Sequence, residues 1–232
     1  MTLLDYFALC LFGFLWFAFA WITGQGRIFA RTSLTQAMAE RRRLWIMNSL
    51  GRDLKMIDTQ ILSGLQNGTA FFASTSILAI GGCFALLGQT EQVDTVLKDL
   101  PFVMPGGRTT FELKVFVLTA IFGYSFFKFG WSYRLFNYCT ILFGALPMSE
   151  EARRDPQAAA RAAELTIRMN IIAAGHFNAG LRALFMSIGY LGWFASPYLF
   201  MVTSVTVFIV LLRRQFFSEA RLALIESPPP SP

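Results

Sequence analysis

Apolar residues gather into four long blocks, at 4–22, 69–88, 113–146 and 183–212, and charged loops separate them. Each block reaches or approaches the roughly 20 residues of helix that cross a bilayer core about 30 Å thick. Strands of a membrane barrel would alternate apolar and polar positions, whereas Leu9 to Ala20 is apolar on every side. The pattern predicts an all-α integral membrane helical bundle.

The fourth block carries Ser196-Pro197 in its middle, after Gly192-Trp193. A proline there removes a backbone donor and clashes with the preceding turn. One kinked helix would give four membrane segments. A break gives five, at about 4–22, 69–88, 113–146, 170–195 and 198–217. Loop charge favours five, because a single span would carry Arg213 and Arg214 to the face opposite the other basic clusters, against the rule that bases near span ends stay cytoplasmic. The segments form one membrane domain over 1–226, followed by a flexible Pro-rich tail, Ser227–Pro232.

Punctuation between the blocks is also informative. Ser33 with Gln36 resembles a capping box opening a basic amphipathic helix over about 33–50, with Leu34, Met38 and Trp45 on its apolar side. Pro101 and Pro105-Gly106-Gly107 mark a turn-rich cap, Thr109 with Glu112 forms a second capping box, and Pro147 closes the third block. Asp155 as N-cap and Pro156 at the first helical position start a helix that runs into the fourth block. Helices two and four are therefore expected to project from the membrane.

Charge sets an orientation. Arg27, Arg31, Arg41, Arg42, Arg43, Arg52 and Lys55 lie between the first two blocks, and Arg153, Arg154, Arg161 and Arg168 after the third, whereas acids outnumber bases over 89–112. The basic loops are expected in the cytoplasm, with the N-terminus outside an inner (plasma) membrane. Asp5 stands at the very start of the first block and Arg27 follows it, the reverse of an export signal, so the block reads as an uncleaved anchor. A hydrophobic content of 55% and an aromatic content of 16% agree with a membrane class. The net charge of +6 clusters where topology needs it and gives no ground for nucleic-acid binding.

Candidate chemistry lies in polar residues within the blocks. Lys128, Arg134 and Asn137 sit in the third block; Asn170, His176, Asn178 and Arg182 sit in or next to the fourth. A cation facing lipid is costly, so these residues are expected to face inward or snorkel. Tyr124, Lys128, Trp131, Leu135 and Tyr138 fall on one stripe at helical spacing, and Asn178 and Arg182 share a face. A polar network of Arg134, Asn137, Asn178 and Arg182 follows as the sharpest expectation, with an anion or anionic lipid headgroup as its counter-charge. The simpler alternative is that Lys128 and Arg134 snorkel beside an aromatic belt. Arg41, Arg42 and Arg43 read equally as a patch for acidic headgroups or as a topology signal.

The strings Lys128-Phe-Gly-Trp-Ser-Tyr-Arg-Leu-Phe-Asn-Tyr, Gly144-Ala-Leu-Pro147, His176-Phe-Asn-Ala-Gly-Leu-Arg182, Leu191-Gly-Trp-Phe-Ala-Ser-Pro197 and Arg213-Arg-Gln-Phe-Phe-Ser resemble an uncharacterised family known as domain of unknown function 599, multi-pass proteins of bacteria and plants. The resemblance runs from Trp16 to about Leu224. It implies a membrane location and no established activity, and it transfers no functional residue.

Catalytic signatures such as G-x-S-x-G, H-E-x-x-H or a phosphate loop are missing. Cys10, Cys83 and Cys139 fall one per block, and His176 is the single histidine, so neither a metal site nor a cofactor is expected. Three classes of function remain. One is a non-catalytic oligomer, or an accessory subunit of a larger membrane complex, packing through Gly64, Gly68, Gly81, Gly82 and Gly88. Another is an anion or anionic-lipid site, possible as a permeation path if several subunits enclose it. The last is an enzyme on lipid-linked substrates with His176 as acid or base, disfavoured because no carboxylate accompanies it in the blocks.

Overall fold

The computed structural model describes residues 1–25, 32–90 and 107–226. Arg27, Arg31, the turn-rich cap at Pro101 and Pro105-Gly106, and the tail Ser227–Pro232 lie outside the described residues. The chain is helical: α1 (Leu3–Gln25), α2 (Leu34–Ser49), α3 (Met56–Gly88), α4 (Gly107–Gly144), α5 (Ser149–Arg154), α6 (Pro156–Tyr190), α7 (Gly192–Ala195), α8 (Pro197–Phe216) and α9 (Glu219–Glu226). Among the described residues five stretches, beginning at Leu3, Met56, Gly107, Pro156 and Pro197, are long and apolar enough to cross a membrane. The protein is an all-α, multi-pass membrane protein.

Local chemistry accounts for the helix ends. Asp155 accepts the Ala158 amide at 2.9 Å, with Pro156 as the first helical residue of α6. α8 repeats the device: Ser196 is extended, its hydroxyl accepts the Leu199 amide at 3.2 Å, and Pro197 follows. α4 departs from expectation. It starts at Gly107, whose positive φ of 74° suits a residue without a side chain, and Glu112 pairs with Arg108 at 2.8 Å instead of serving a cap at Thr109. The helix therefore opens upstream of the expected box.

The chain divides into two compact units. Unit 1 comprises Met1–Leu34, Ser76–Ser125 and Leu181–Pro232. In it α1 buries Asp5, Ala8, Phe12, Leu15 and Phe19, spaced alternately three and four apart as a packing seam requires. The end of α6 and the start of α8 form a tight hairpin. The Thr203 hydroxyl donates to the Gly189 carbonyl at 2.6 Å, and a Cβ on Gly189 would lie 3.2 Å from the Ser204 Cα. A Cβ on Gly192 would collide with the Thr203 hydroxyl, so glycine permits the approach. Trp193 stacks on Phe200 at 5.4 Å, and Tyr190 and Phe12 pack around it.

Unit 2 comprises Thr35–Thr75 and Phe126–Gly180. Its core joins Ile46, Leu62, Cys139, Phe143, Leu146, Ala163 and Ile167. The inward face of α4 here runs Phe129, Ser132, Phe136, Cys139 and Phe143, whereas Trp131 and Tyr138 of the expected stripe are exposed. α2 docks through Ala37, Ile46 and Ser49; of the expected apolar side, Trp45 packs inward, stacked on Phe143 with its indole donating to Asp58 at 2.7 Å, whereas Met38 is exposed.

Candidate functional site

In unit 2 the expected cationic residues are engaged in different ways. The Arg134 Nε donates to the Tyr138 hydroxyl one turn along the same helix, at 2.6 Å, with its guanidinium 5.6 Å from that ring. Asn137 accepts from Gln66 of α3 at 2.8 Å, and Thr140 accepts from the same amide at 2.9 Å. These two bonds therefore go to partners other than those of the expected network. Asn178 is exposed, and Lys128 and His176 are half-buried. The Lys128 charge acts on His176, whose Nδ1 is buried without a hydrogen-bond partner.

The arginine run on α2 is bound to protein. Arg42 donates to Asn170 of α6 at 2.5 Å, and Asn170 in turn bonds the Cys139 sulfur at 3.4 Å. Burial holds the Arg42 guanidinium below the usual arginine range, and the neighbouring Cys139 opposes that shift. Arg43 forks onto Glu164 at 2.8 and 2.9 Å. Arg41 is half-buried.

The sequence reading did not single out the exposed face of α6. Arg161, Leu165, Arg168 and Ile172 are all exposed there. Their spacing of four, three and four residues keeps them on one side of the helix, so cationic and apolar side chains alternate along it. The signal is present in the sequence, where Arg161 and Arg168 also count toward the basic loop that sets the orientation.

In unit 1, Arg182 is hydrogen-bonded to Tyr124 and stacks 5.6 Å from the Phe19 ring, while its Nε is buried without a partner. A second polar group in this unit was also missed. Asp5, 6% exposed, accepts from the Thr2 amide at 2.7 Å, the Thr2 hydroxyl at 2.9 Å and the Trp193 indole at 2.8 Å. Lys114, 7% exposed, donates to the Trp193 carbonyl at 2.6 Å, and the Tyr190 hydroxyl donates to the Lys114 carbonyl at 3.0 Å. One tryptophan thus receives an acid on its ring nitrogen and a base on its backbone. Asp5 had been read for orientation alone.

Among the described residues no three of His, Cys, Asp and Glu gather as a metal ion would require. No curated protein and no solved structure matches the chain. Residues 7–220 match the model of the family described as protein of unknown function, DUF599, and with nearly its whole length covered, the chain belongs to that family.

Proposed function

We propose that the protein is a non-catalytic, oligomeric assembly of the inner (plasma) membrane, N-terminus outside, whose cytoplasm-facing basic surface on unit 2 holds an anionic group, a lipid headgroup or a free anion. The exposed α6 face carries this reading. Arg161 and Arg168 alternate there with Leu165 and Ile172, an arrangement in which guanidinium groups reach phosphates while the apolar side chains meet acyl chains. Unit 2 holds eleven Lys and Arg against seven Asp and Glu, and Glu164, the acid nearest that face, is taken by Arg43. The reading also assigns Lys128, Arg134, Asn137, His176 and Asn178 to this site. Each nearby base adds about 1 kcal/mol toward an anionic membrane.

The test compares protein reconstituted in phosphatidylglycerol vesicles with protein in phosphatidylcholine vesicles. Retained lipid is read by native mass spectrometry and conductance is read with chloride. Retention of phosphatidylglycerol that falls several-fold in the Arg161→Gln, Arg168→Gln variant identifies a headgroup; chloride conductance lost in that variant identifies a free anion. Equal retention of both lipids without conductance would overturn the reading.

One observation favours the alternative of an accessory or scaffold subunit. α3 is the least covered of the five candidate spans, and Gly64 and Gly68, four residues apart, both have open space around them, as a partner helix would require.

A further inference from the structure

We infer that two copies of the chain pair in parallel along α3, through the face that carries Ile57, Ile61, Gly64, Gly68 and Phe71. The inference rests on the oligomeric part of the reading above, whose contact face it names, and not on the anionic group.

α3 is longer than a membrane requires. Its 33 residues rise about 50 Å at about 1.5 Å each, against a hydrocarbon core about 30 Å thick. Even a tilt of about 40°, the upper end for membrane helices, leaves about 38 Å along the bilayer normal. The surplus lies at the start of the helix. Asp58, Gln60, Ser63, Gln66 and Asn67 all fall before Gly68, whereas 69–88 is apolar enough to fill the core alone. The first turns of α3 therefore stand in water. Met56 and Ile57 are nonetheless 70% and 71% exposed, and Ile61 is exposed one turn on. Lipid covers Phe71 but does not reach Ile57, so the apolar face needs a protein surface there.

Three features point to a second copy of the chain as that surface. Ile57, Ile61, Gly64, Gly68 and Phe71 follow at spacings of four, three, four and three, one continuous stripe, and the open space at Gly64 and Gly68 lets a second backbone approach closely. The stripe is also uncharged, since no Asp, Glu, Lys or Arg occurs from Thr59 to Gly88. The other outer surfaces of unit 2 carry exposed Arg43, Arg134, Arg161 and Arg168. With eleven bases against seven acids, two copies repel each other through those surfaces and meet without repulsion at α3. Finally, exposed Gln60 and Asn67 border the stripe, seven residues apart. An amide both donates and accepts, so each can bond its own counterpart. Copies inserted in one direction set α3 beside α3 in parallel about a two-fold axis, which brings those counterparts together.

The experiment introduces Ile57→Cys and Ile61→Cys, singly, in the full-length chain lacking Cys10, Cys83 and Cys139, and oxidises native membranes with copper phenanthroline. The expected result is a disulfide-linked dimer from both, at least fivefold above that from Leu165→Cys on the outer face of α6. Gly64→Leu, whose side chain has open space in its own protomer, is expected to cut the Ile57→Cys dimer at least fivefold while the protein stays folded. Should it not fold, Asn67→Asp, which sets two like charges together, is expected to give the same loss. An oligomer by mass photometry that cross-links only from Leu165→Cys, or that both Gly64→Leu and Asn67→Asp leave intact, overturns the inference and leaves the oligomeric reading standing. A monomer at every protein concentration overturns both, and a disulfide adduct with another protein in place of the dimer overturns the inference alone.

Discussion

The indole nitrogen of Trp193 donates to the Asp5 carboxylate across 188 positions of sequence, at 2.8 Å. The same residue's carbonyl accepts the Lys114 ammonium, which also lies 5.3 Å from the centroid of the ring. The two opposite charges act on each other, and each is also hydrogen-bonded to Trp193. A buried charge stripped of its compensation is costly, whereas removing both charges is not. Asp5→Asn and Lys114→Met should therefore each destabilise the protein by about 3 kcal/mol, and the double variant should cost less than the sum by about 1 kcal/mol or more. Equilibrium unfolding in detergent reads the cycle, and strict additivity would show that Trp193 holds two independent contacts.

Arg42 and Arg43 are adjacent in sequence and unequal in energetic weight. Arg43 and Glu164 are 45% and 39% exposed, so solvent screens their attraction, and Glu164→Gln should change stability by less than about 1 kcal/mol. Asn170 is fully buried and is the acceptor for Arg42. Asn170→Ala leaves a half-buried guanidinium without that acceptor and should cost about 1 to 3 kcal/mol. Thermal unfolding of the two variants side by side checks the order; a larger loss for Glu164→Gln would mean that the exposed pair, not the buried one, holds α2 to α6.

Hydropathy was enough to find the spans, and Pro197 with Ser196 was enough to split the last block, because both signals act locally. The Asp155-Pro156 start of α6 was legible for the same reason. Which face of each helix packs was not. Lipid is as apolar as a protein core, so an all-round apolar helix does not advertise its inner side, and the seam Phe129, Ser132, Phe136, Cys139 and Phe143 is set by partners on other helices. On α2 the expected apolar side is right at Trp45, which packs on Phe143 and bonds Asp58, and wrong at Met38, which is exposed. Asp5 escaped notice as a bonded residue because its partner lies at the far end of the chain, where no spacing rule reaches. Among the expected site residues, the cost of a cation in lipid is readable from residue type, whereas the Tyr124 partner of Arg182 lies on another helix, where no spacing rule reaches.

The α6–α8 hairpin fixes a parity that labelling can read. Thr203 bonds back to Gly189, and Arg214 lies 5.6 Å over the ring of Phe185, so contacts pair residues progressively farther apart in sequence and the two helices run in opposite directions. With five membrane crossings, the ends of α2, α5 and α9 fall on one face of the membrane and the start of α1 on the other. Cysteines introduced singly at Asn48, Glu150 and Ala220, all exposed, in a background lacking Cys10, Cys83 and Cys139, should react with an impermeant maleimide from the same side, and one at Leu3 from the opposite side. A single kinked span would instead place Ala220 across the membrane from Asn48. That outcome would require the Gly189–Thr203 contact to be absent in the bilayer, and Gly189→Leu, which fills the space against Ser204, would then be tolerated; with the hairpin in place the same substitution should cost about 1 to 3 kcal/mol through overpacking.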